Sequence, residues 1–245
     1  MQVDAEKDVQ PNGETVMARA RAESKEASLN ASVYDRIKAE ILTNRLRPGV
    51  KLTHQGIAEL LGVSRTPVRE ALERLLQEGY VFRLPRRGFF VGETSDDDTR
   101  DYYQTREALE LYQLERLFER GVTEDDLRQL RTINERYSTL ITQNLTYERM
   151  LVDRDFHLAL AGLTGNAYLV SMLNGIFERL ILKRRIAGMS DTRGLAVYED
   201  HLALLGALEK GQESKARKIL AQHIRGARER LLSHLRQFAP STLRP

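Results

Sequence analysis

The sequence predicts a mainly α-helical protein with two domains: a small N-terminal domain that ends in a β-hairpin, and a C-terminal antiparallel helical bundle. Apolar residues recur at helical spacing through most of the chain. A short segment rich in aromatic and β-branched residues interrupts this pattern before residue 92, and everything from residue 96 onward is typical of helix. With 245 residues, 41% of them hydrophobic, the chain can form two cores.

We expect the two domains to cover residues 31–92 and 96–238. Residues 1–30 are polar, charged and poor in large apolar groups, which predicts a largely disordered segment. The polar stretch from Gly92 to Asp98 predicts a linker. Its acidic end can also begin the next helix, because negative charge is favourable at a helix N-terminus.

The small domain begins with two predicted helices. Val33, Ile37 and Ile41 have i, i+4, i+8 spacing, which predicts a first helix from Ala31 to Leu46. A second, shorter helix is capped by Thr53 and closed by the glycine at position 62. A third begins two residues later, and two helices joined by so short a turn form a helix-turn-helix.

The third predicted helix presents two arginines one turn apart. Ser64 is a favoured N-cap residue, and apolar residues from position 71 onward bury one face. Arg65, Thr66 and Arg69 are therefore expected on the exposed face, where arginines can reach phosphates and guanine edges in the DNA major groove. The alternative is an ordinary surface helix whose arginines are only solvated.

A β-hairpin follows this helix directly. Two short segments, Tyr80 to Leu84 and Phe89 to Val91, flank a basic tip of sequence Pro-Arg-Arg-Gly. A wing of this kind would reach the DNA backbone or minor groove, where Arg87 supplies charge and Gly88 permits a close approach. Similar hairpins also occur as plain surface turns. Here, however, the hairpin completes a predicted winged helix-turn-helix.

The distribution of charge agrees with a DNA-binding role for this segment. Residues 31–91 contain eleven Lys and Arg against six Asp and Glu, a net charge of +5. The whole chain carries only +3. The basic excess is therefore confined to the predicted DNA-binding domain, as attraction to a polyanion requires.

Composition excludes several other classes of protein. No segment reaches the roughly 18–20 uninterrupted apolar residues of a membrane span, and the N-terminus lacks the pattern of a secretory signal. Cysteine is absent, which excludes disulfides and thiolate sites. We therefore expect a cytoplasmic protein.

The second domain is predicted to be a bundle of six helices, one of which carries an acid and a histidine on the same face. Asp153 and His157 are four residues apart on the third of these helices, and His201 and His223 lie on the fifth and sixth. One carboxylate with three imidazoles suits Zn, Ni, Mn or Fe and is unsuited to calcium. The alternative is that these histidines are separate surface or core residues, since the sequence does not show whether they converge.

The run from Thr53 to Val91 resembles the DNA-binding domain of the GntR family of bacterial transcription regulators. Its hallmarks here are Gly-Val-Ser-Arg-Thr-Pro-Val-Arg-Glu-Ala-Leu from residue 62, Glu-Gly at 78–79 and Arg-Gly at 87–88. The resemblance implies contacts with double-stranded operator DNA and a wing tip at Gly88. The residues implied to contact the operator are Ser64, Arg65, Thr66 and Arg69. Some members carry an arginine at the start of the second helix, where this chain has His54 and Gln55.

Most of residues 96–235 resembles the effector-binding domain of the FCD subgroup of that family. The matching segments are Asp-Arg-Asp-Phe-His from residue 153, Gly-Asn at 165–166, Glu-Asp-His-Leu from 199 and His-Ile at 223–224. The resemblance implies that Asp153, His157, His201 and His223 bind a divalent metal, which helps to hold a small organic-acid effector. Arg106 matches an arginine near the ligand cavity, although an i, i+4 pair with Glu110 on a solvated face is an alternative.

These features predict a ligand-responsive transcriptional regulator that binds a palindromic operator as a homodimer. A repressor is the prediction for its sign of regulation, and an activator is the open alternative. One alternative is a metal-dependent enzyme built on the bundle, because such a metal could activate water. The sequence contains no His-Glu-x-x-His motif and no evident partnered nucleophile, which argues against this alternative. A second alternative is an architectural DNA binder with a structural metal and no ligand response.

Overall fold

A computed structural model of the chain describes residues 32–92, 94–144, 146–187 and 193–238. The segment expected to be disordered, residues 1–30, lies outside the described residues. The chain divides into two compact units, with the boundary between residues 93 and 94. In chain order, the elements of the first unit are α1 (residues 32–42), β1 (Lys51–Leu52), α2 (His54–Leu61), α3 (Arg65–Gln77), β2 (Val81–Leu84) and β3 (Gly88–Val91).

The helices of the first unit begin and end largely where local sequence signals predict. Thr53 Oγ1 accepts a hydrogen bond from the Gly56 backbone N–H at 3.0 Å, and Gly62 ends α2 with a left-handed φ of 67°. The prediction that α1 continues to Leu46 was wrong. This helix ends at residue 42, and Asn44 then adopts a left-handed conformation with a φ of 57°.

The hairpin is part of a three-stranded antiparallel sheet with the strand order β1-β3-β2. Val81 pairs with Val91 on one side of β3, and Lys51 pairs with Phe90 on the other. Strand β1 was not predicted, because two residues are too few to show an alternating pattern. The core of the unit joins the three helices to this sheet and includes Val33, Ile37, Ile41, Leu52, Ile57, Val68, Leu72, Leu75, Val81 and Val91.

The second unit consists, within its described residues, of six long helices. Each packs against two neighbours in the cyclic order α4, α9, α8, α5, α6 and α7, with α7 returning to α4. Ser95 and Thr123 form capping boxes with Asp98 and Asp126, and these fix the starts of α4 and α5. The six helices are α4 (Asp96–Arg120), α5 (Glu124–Thr142), α6 (Thr146–Gly162), α7 (Ala167–Ile186), α8 (Gly194–Glu209) and α9 (Glu213–Phe238).

The core of this bundle is largely apolar. Phe156 of α6 belongs to the same apolar core as buried leucines from α4, α8 and α9. Next to this apolar core lies a group of buried polar residues from α4, α5, α6, α8 and α9. They include Arg106, Glu110, Asn134, Asp153, His157, His201 and His223. The mainly helical architecture with a winged helix-turn-helix and a helical C-terminal domain is thus confirmed. Among the described residues, no helix combines the length and apolar character that a membrane crossing needs.

Candidate metal centre and nucleic-acid interface

Helix α3 exposes the face that the sequence assigns to DNA. Val68 and Leu72 are fully buried, whereas Arg65, Thr66 and Arg69 are exposed. Ser64 occupies the N-cap position with an extended backbone, as predicted, but its side chain makes no capping hydrogen bond. The Ser64 hydroxyl can therefore contact a ligand without the loss of a capping hydrogen bond.

The exposed residues of α3 border a shallow concave surface in the first unit. His54 and Gln55, at the start of α2, line it together with Arg65, Thr66 and Arg69. The starts of two helices thus meet at a surface that carries two guanidinium groups. Helix N-termini and arginines both favour phosphate, so this arrangement suits a nucleic-acid backbone.

The tip of the hairpin is basic and tightly turned. Arg86 has a left-handed φ of 61° and Gly88 has a φ of 92°, a conformation that L side chains rarely adopt. Arg86 and Arg87 are both exposed at this turn. The glycine therefore allows the tight turn that presents the two arginines.

In the second unit the tertiary structure brings four distant residues to one point. Asp153 Oδ1 lies 3.7 Å from His157 Nε2, 3.4 Å from His201 Nε2 and 3.9 Å from His223 Nε2. One potential ligand atom from each residue lies within 4.8 Å of all the others, and all four residues are buried. Three helices, α6, α8 and α9, contribute to this metal-ligand cluster, which is formed by Asp153, His157, His201 and His223.

The other nitrogen of each histidine faces an oxygen acceptor. Because an ionised carboxylate or an amide oxygen can only accept, each Nδ1 carries a proton, and in the neutral ring Nε2 keeps its lone pair for the cluster. This tautomer is the one that a metal ligand requires when it binds through Nε2. The three contacts are His157 to Glu110 at 2.5 Å, His201 to Asn134 at 3.1 Å and His223 to Asp200 at 3.1 Å.

Burial sets the protonation of two of the histidines. It lowers the pKa of His201 to about 4 and lowers the pKa of His223 as well. At His157 burial also lowers the pKa, but the neighbouring Glu110 carboxylate raises it above its ordinary value. His201 and His223 are therefore neutral at pH 7, whereas a metal at His157 has to compete with a proton.

The carboxylates of this region stay ionised despite their burial. Burial alone raises the pKa of Glu110, but Arg106 and His157 lower it to about 2. Burial also raises the pKa of Asp153, and contacts with His157 and His201 hold it well below its ordinary value. The cluster therefore combines an anionic oxygen with imidazole nitrogens.

The residues present fit a divalent transition metal. Asp153 Oδ1 and His201 Nε2 are buried, and neither has a hydrogen-bond partner among the described residues. Such atoms are costly to bury unless they bind something. One carboxylate and three imidazoles match the donor preferences of zinc, nickel, manganese and iron.

Arg106 lies against the cluster, and its pair with Glu110 is buried rather than solvated. Its Nε donates to Glu110 Oε1 at 2.5 Å, and its Nη2 lies 3.0 Å from His157 Nε2, to which it can donate when the ring is neutral. The guanidinium also stacks over the Phe177 ring, 4.2 Å from its centroid. The alternative of a pair on a solvated face is wrong, because α4 turns this face toward α6 and α7.

Sequence reasoning missed the residues that orient the histidines. Glu110 was noted only as a partner of Arg106, and Asp200 only as part of a motif. Asn134 gave no signal at all, since a lone asparagine in a helix has no pattern. Its amide donates to the Tyr198 carbonyl oxygen at 3.3 Å, which turns its own oxygen toward His201.

A cavity opens beside the metal-ligand cluster. Asp153 and His223 form part of its wall, together with three arginines from three helices, Arg149, Arg184 and Arg230. A second, smaller cavity is lined by Arg106 and also by Asp153. The potential metal ligands thus border a space with guanidinium groups around it.

Replacement of Asp200 with alanine should weaken metal binding about tenfold, because His223 loses the acceptor that fixes its tautomer and ring orientation. Titration of the chelator-treated protein with Zn²⁺ measures this change. Glu199→Ala removes the same charge from an exposed neighbour and should leave the affinity unchanged. Equal affinities for the two variants would contradict an orienting role for Asp200.

One unit exposes a basic recognition helix, and the other holds the metal-ligand cluster beside a cavity. This combination is typical of a DNA-binding regulator with an effector domain. The chain matches the bacterial regulatory proteins of the gntR family over residues 29–91 and the FCD domain over residues 101–226. It therefore belongs to the GntR family of bacterial transcription regulators and carries an FCD effector domain. The alternative of an enzyme is wrong, because the relatives and both domains belong to transcription regulators.

Three curated relatives illustrate this relationship. The uncharacterized HTH-type transcriptional regulator BphR of Paraburkholderia xenovorans is 30% identical over 217 residues, which cover 86% of each chain. The Nta operon transcriptional regulator of Aminobacter aminovorans is 31% identical over 192 residues, 78% of this chain and 88% of the relative. The HTH-type transcriptional repressor GlaR of Escherichia coli is 23% identical over 198 residues, 78% of this chain and 90% of the relative.

Solved structures share the fold. The structure of E. coli McbR/YncC has a TM-score of 0.69 and 24% identity, and covers 86% of this chain and 98% of its own. A GntR regulator from Rhodococcus sp. RHA1 has a TM-score of 0.71 and 21% identity, with coverage of 84% and 98%. At these identities the similarity establishes the fold alone.

Proposed function

We propose that this protein is a transcriptional repressor that leaves its operator when a small carboxylate binds a metal ion held by the FCD domain. The observation that carries the proposal is the convergence of three Nε2 atoms and Asp153 Oδ1 beside an arginine-lined cavity. The named repressor GlaR among the relatives supports the sign of regulation.

The metal would be held by the metal-ligand cluster. When bound, the ion supplies a Lewis-acid site for a carboxylate oxygen. Glu110, Asn134 and Asp200 hold the three imidazoles in the tautomer that metal binding needs. Four protein ligands leave open positions on a six-coordinate ion, so an effector can bind without displacing a residue. Arg106, at 3.0 Å from His157, supplies a guanidinium next to that site.

Operator binding would involve Ser64, Arg65, Thr66 and Arg69 on α3, with Arg87 and Gly88 at the wing. Arg65, Thr66 and Arg69 line the concave surface of the first unit, which supports this assignment. Ser64 and Arg87 are exposed, and Gly88 lies at the tip of the hairpin. We expect the α3 arginines to read base edges, and Arg87 to contact the backbone without reading sequence.

A thermal-shift experiment with and without chelator tests the metal and the effector together. Removal of the metal should lower the melting temperature by about 5–15 °C, because an ion bound well above its Kd stabilises the folded state by a few kcal/mol. Small carboxylates, tested as a panel, should raise the melting temperature only of the metal-loaded protein. A carboxylate that stabilises loaded and chelated protein equally would contradict a metal-dependent effector site.

We further propose that the protein is a homodimer and that α7 contributes to the contact. Tyr168 and Met172 lie one turn apart on α7 and are 85% and 55% exposed, and Gly175 follows on the same face. Large apolar side chains in a row on one helix are typical of a protein interface. Two copies would also place two DNA-binding units on a palindromic operator and gain avidity.

Sedimentation at micromolar concentration should show a species of about twice 28.1 kDa for the wild type. Met172→Arg should shift it to the monomer, because a charge in an apolar contact lacks a partner. Leu202→Arg, at an exposed leucine of α8, is the matched control and should remain dimeric. A monomeric wild type, or dissociation of the Leu202 variant alone, would contradict this assignment.

A further inference from the structure

One face of the three-stranded sheet in the first unit exposes large side chains to solvent. Successive residues of a strand point to opposite faces, and Phe89 and Val91 of β3 point into the core. Phe90 therefore points outward, and the strand registers place Phe82 on one side of it and Lys51 on the other. Phe82 is 40% exposed, and Lys51 is exposed as well. We call the surface that Lys51, Phe82 and Phe90 form the outer face of the sheet.

The two phenylalanine rings of the outer face stack on each other. Their centroids are 5.6 Å apart, and their planes are inclined by 22°. Because the rings belong to paired residues of β2 and β3, the sheet holds both of them in one orientation. The outer face therefore presents a fixed, flat apolar surface, part of which remains in water.

Lys51 extends from the edge of the sheet toward the tip of the hairpin. Its strand, β1, is an edge strand in the order β1-β3-β2. The Cε atom of Lys51 lies 3.9 Å from the position that a Cβ on Gly88 would occupy. Since Gly88 begins β3 at the tip, the lysine side chain runs along the outer face to the basic turn. Its ammonium group is thus placed beside the wing, although the residue is distant from the wing in sequence.

The tip of the hairpin and the outer face carry charge of one sign. The three strands and the turn between β2 and β3 contain four cationic residues and no acidic residue. Arg83 points to the opposite face, where it pairs with Glu73 of α3. Lys51, Arg86 and Arg87 are exposed, and none of them has an ion-pair partner among the described residues. Neighbouring cations repel one another, and a polyanion relieves this repulsion.

We infer that the outer face, and not only the tip of the hairpin, contacts the operator. Lys51 binds a phosphate of the strand that Arg87 contacts, and Phe82 packs on a deoxyribose of that strand. Exposed cations bind phosphates, and a flat apolar surface suits the sugar. DNA is favoured over a protein partner because the outer face has no acidic residue and continues into the basic tip. This inference rests on the proposed operator binding and adds a second contact surface to it.

Fluorescence anisotropy with the full-length protein and a labelled DNA duplex of mixed sequence tests the role of Lys51. Such a duplex is sufficient because phosphate contacts do not read sequence. Lys51→Gln should weaken binding about three- to tenfold at low salt, and the slope of log affinity against log salt concentration should become shallower by about one. Lys210→Gln removes an exposed lysine of the second unit and should change neither quantity.

Phe82→Thr tests the apolar part of the outer face. Threonine suits a strand, so the variant keeps the sheet and loses the ring. It should weaken DNA binding at least about threefold, because apolar area no longer leaves water on binding. The salt slope should stay unchanged, since no charge is lost. Phe82→Tyr keeps the ring and should bind as the wild type does, and circular dichroism verifies the folding of each variant.

Equal DNA affinity and equal salt slope of the wild type and Lys51→Gln would overturn the inference and leave operator binding through α3 and the tip intact. Unchanged DNA binding by Phe82→Thr would also overturn it, because the apolar surface would then serve a protein contact. Failure of the wild type to bind any duplex would overturn the proposed function, and the inference with it.

Discussion

Replacement of His201 with alanine is expected to remove stoichiometric metal from the purified protein and to abolish its response to carboxylates. His201 Nε2 is buried without a hydrogen-bond partner among the described residues and lies 3.4 Å from Asp153 Oδ1. Loss of an orienting partner alone costs about 10–100-fold in metal affinity, so loss of a ligand should cost at least about 100-fold. Elemental analysis and Zn²⁺ titration measure the effect.

The same variant should keep operator affinity, because the DNA-binding helix lies in a separate compact unit. His234→Ala is the matched control. It removes a histidine of α9 whose Nε2 binds the Ala187 carbonyl oxygen at 2.9 Å, outside the metal-ligand cluster. The control should retain metal and response. A His201→Ala protein with full metal content and full response would remove the basis for the proposed centre.

The double substitution Arg65→Ala/Arg69→Ala is expected to weaken binding to the specific operator strongly. Both side chains are exposed on one face of α3, and each arginine that reads a guanine contributes about 1–3 kcal/mol. The pair should therefore cost about 2 kcal/mol or more, which is roughly 30-fold or more in Kd. A gel shift at fixed salt concentration measures the change.

Two further variants distinguish sequence-specific binding from nonspecific electrostatic attraction to DNA. Arg87→Ala, at the wing, should weaken binding to all DNA sequences alike. The slope of log affinity against log salt concentration should become shallower by about one, because one phosphate contact is lost. Arg128→Ala removes an exposed arginine of α5 in the other unit and should have little effect. Unchanged operator affinity in the double variant would refute the assignment of α3 as the recognition helix.

Local signals in the sequence were sufficient for most of the secondary structure. The spacing of apolar residues predicts the helices, and Thr53, Gly62 and the Thr123 capping box define ends that depend on neighbouring residues alone. The errors have local reasons as well. Strand β1 is two residues long, and α1 stops early at a left-handed Asn44.

The candidate site was predictable only in part. The spacing of Asp153 and His157 indicates a shared helical face, and the resemblance to the FCD subgroup adds His201 and His223. The partners of these histidines could not be predicted. Asn134 is 67 residues away from His201 in sequence, and Glu110 is 47 residues away from His157. No periodic pattern connects residues so far apart.

The sequence by itself determined the order of the elements, the class of protein and the residue types available for metal and DNA. These depend on helix periodicity, capping and short motifs, which are properties of neighbouring residues. Only the tertiary structure decided which lone pairs face one another, that Arg106 and Glu110 are buried, and that three arginines share one cavity. The physical reason is that helix packing sets which faces of distant helices meet, and a small rotation of one helix would separate the three Nε2 atoms.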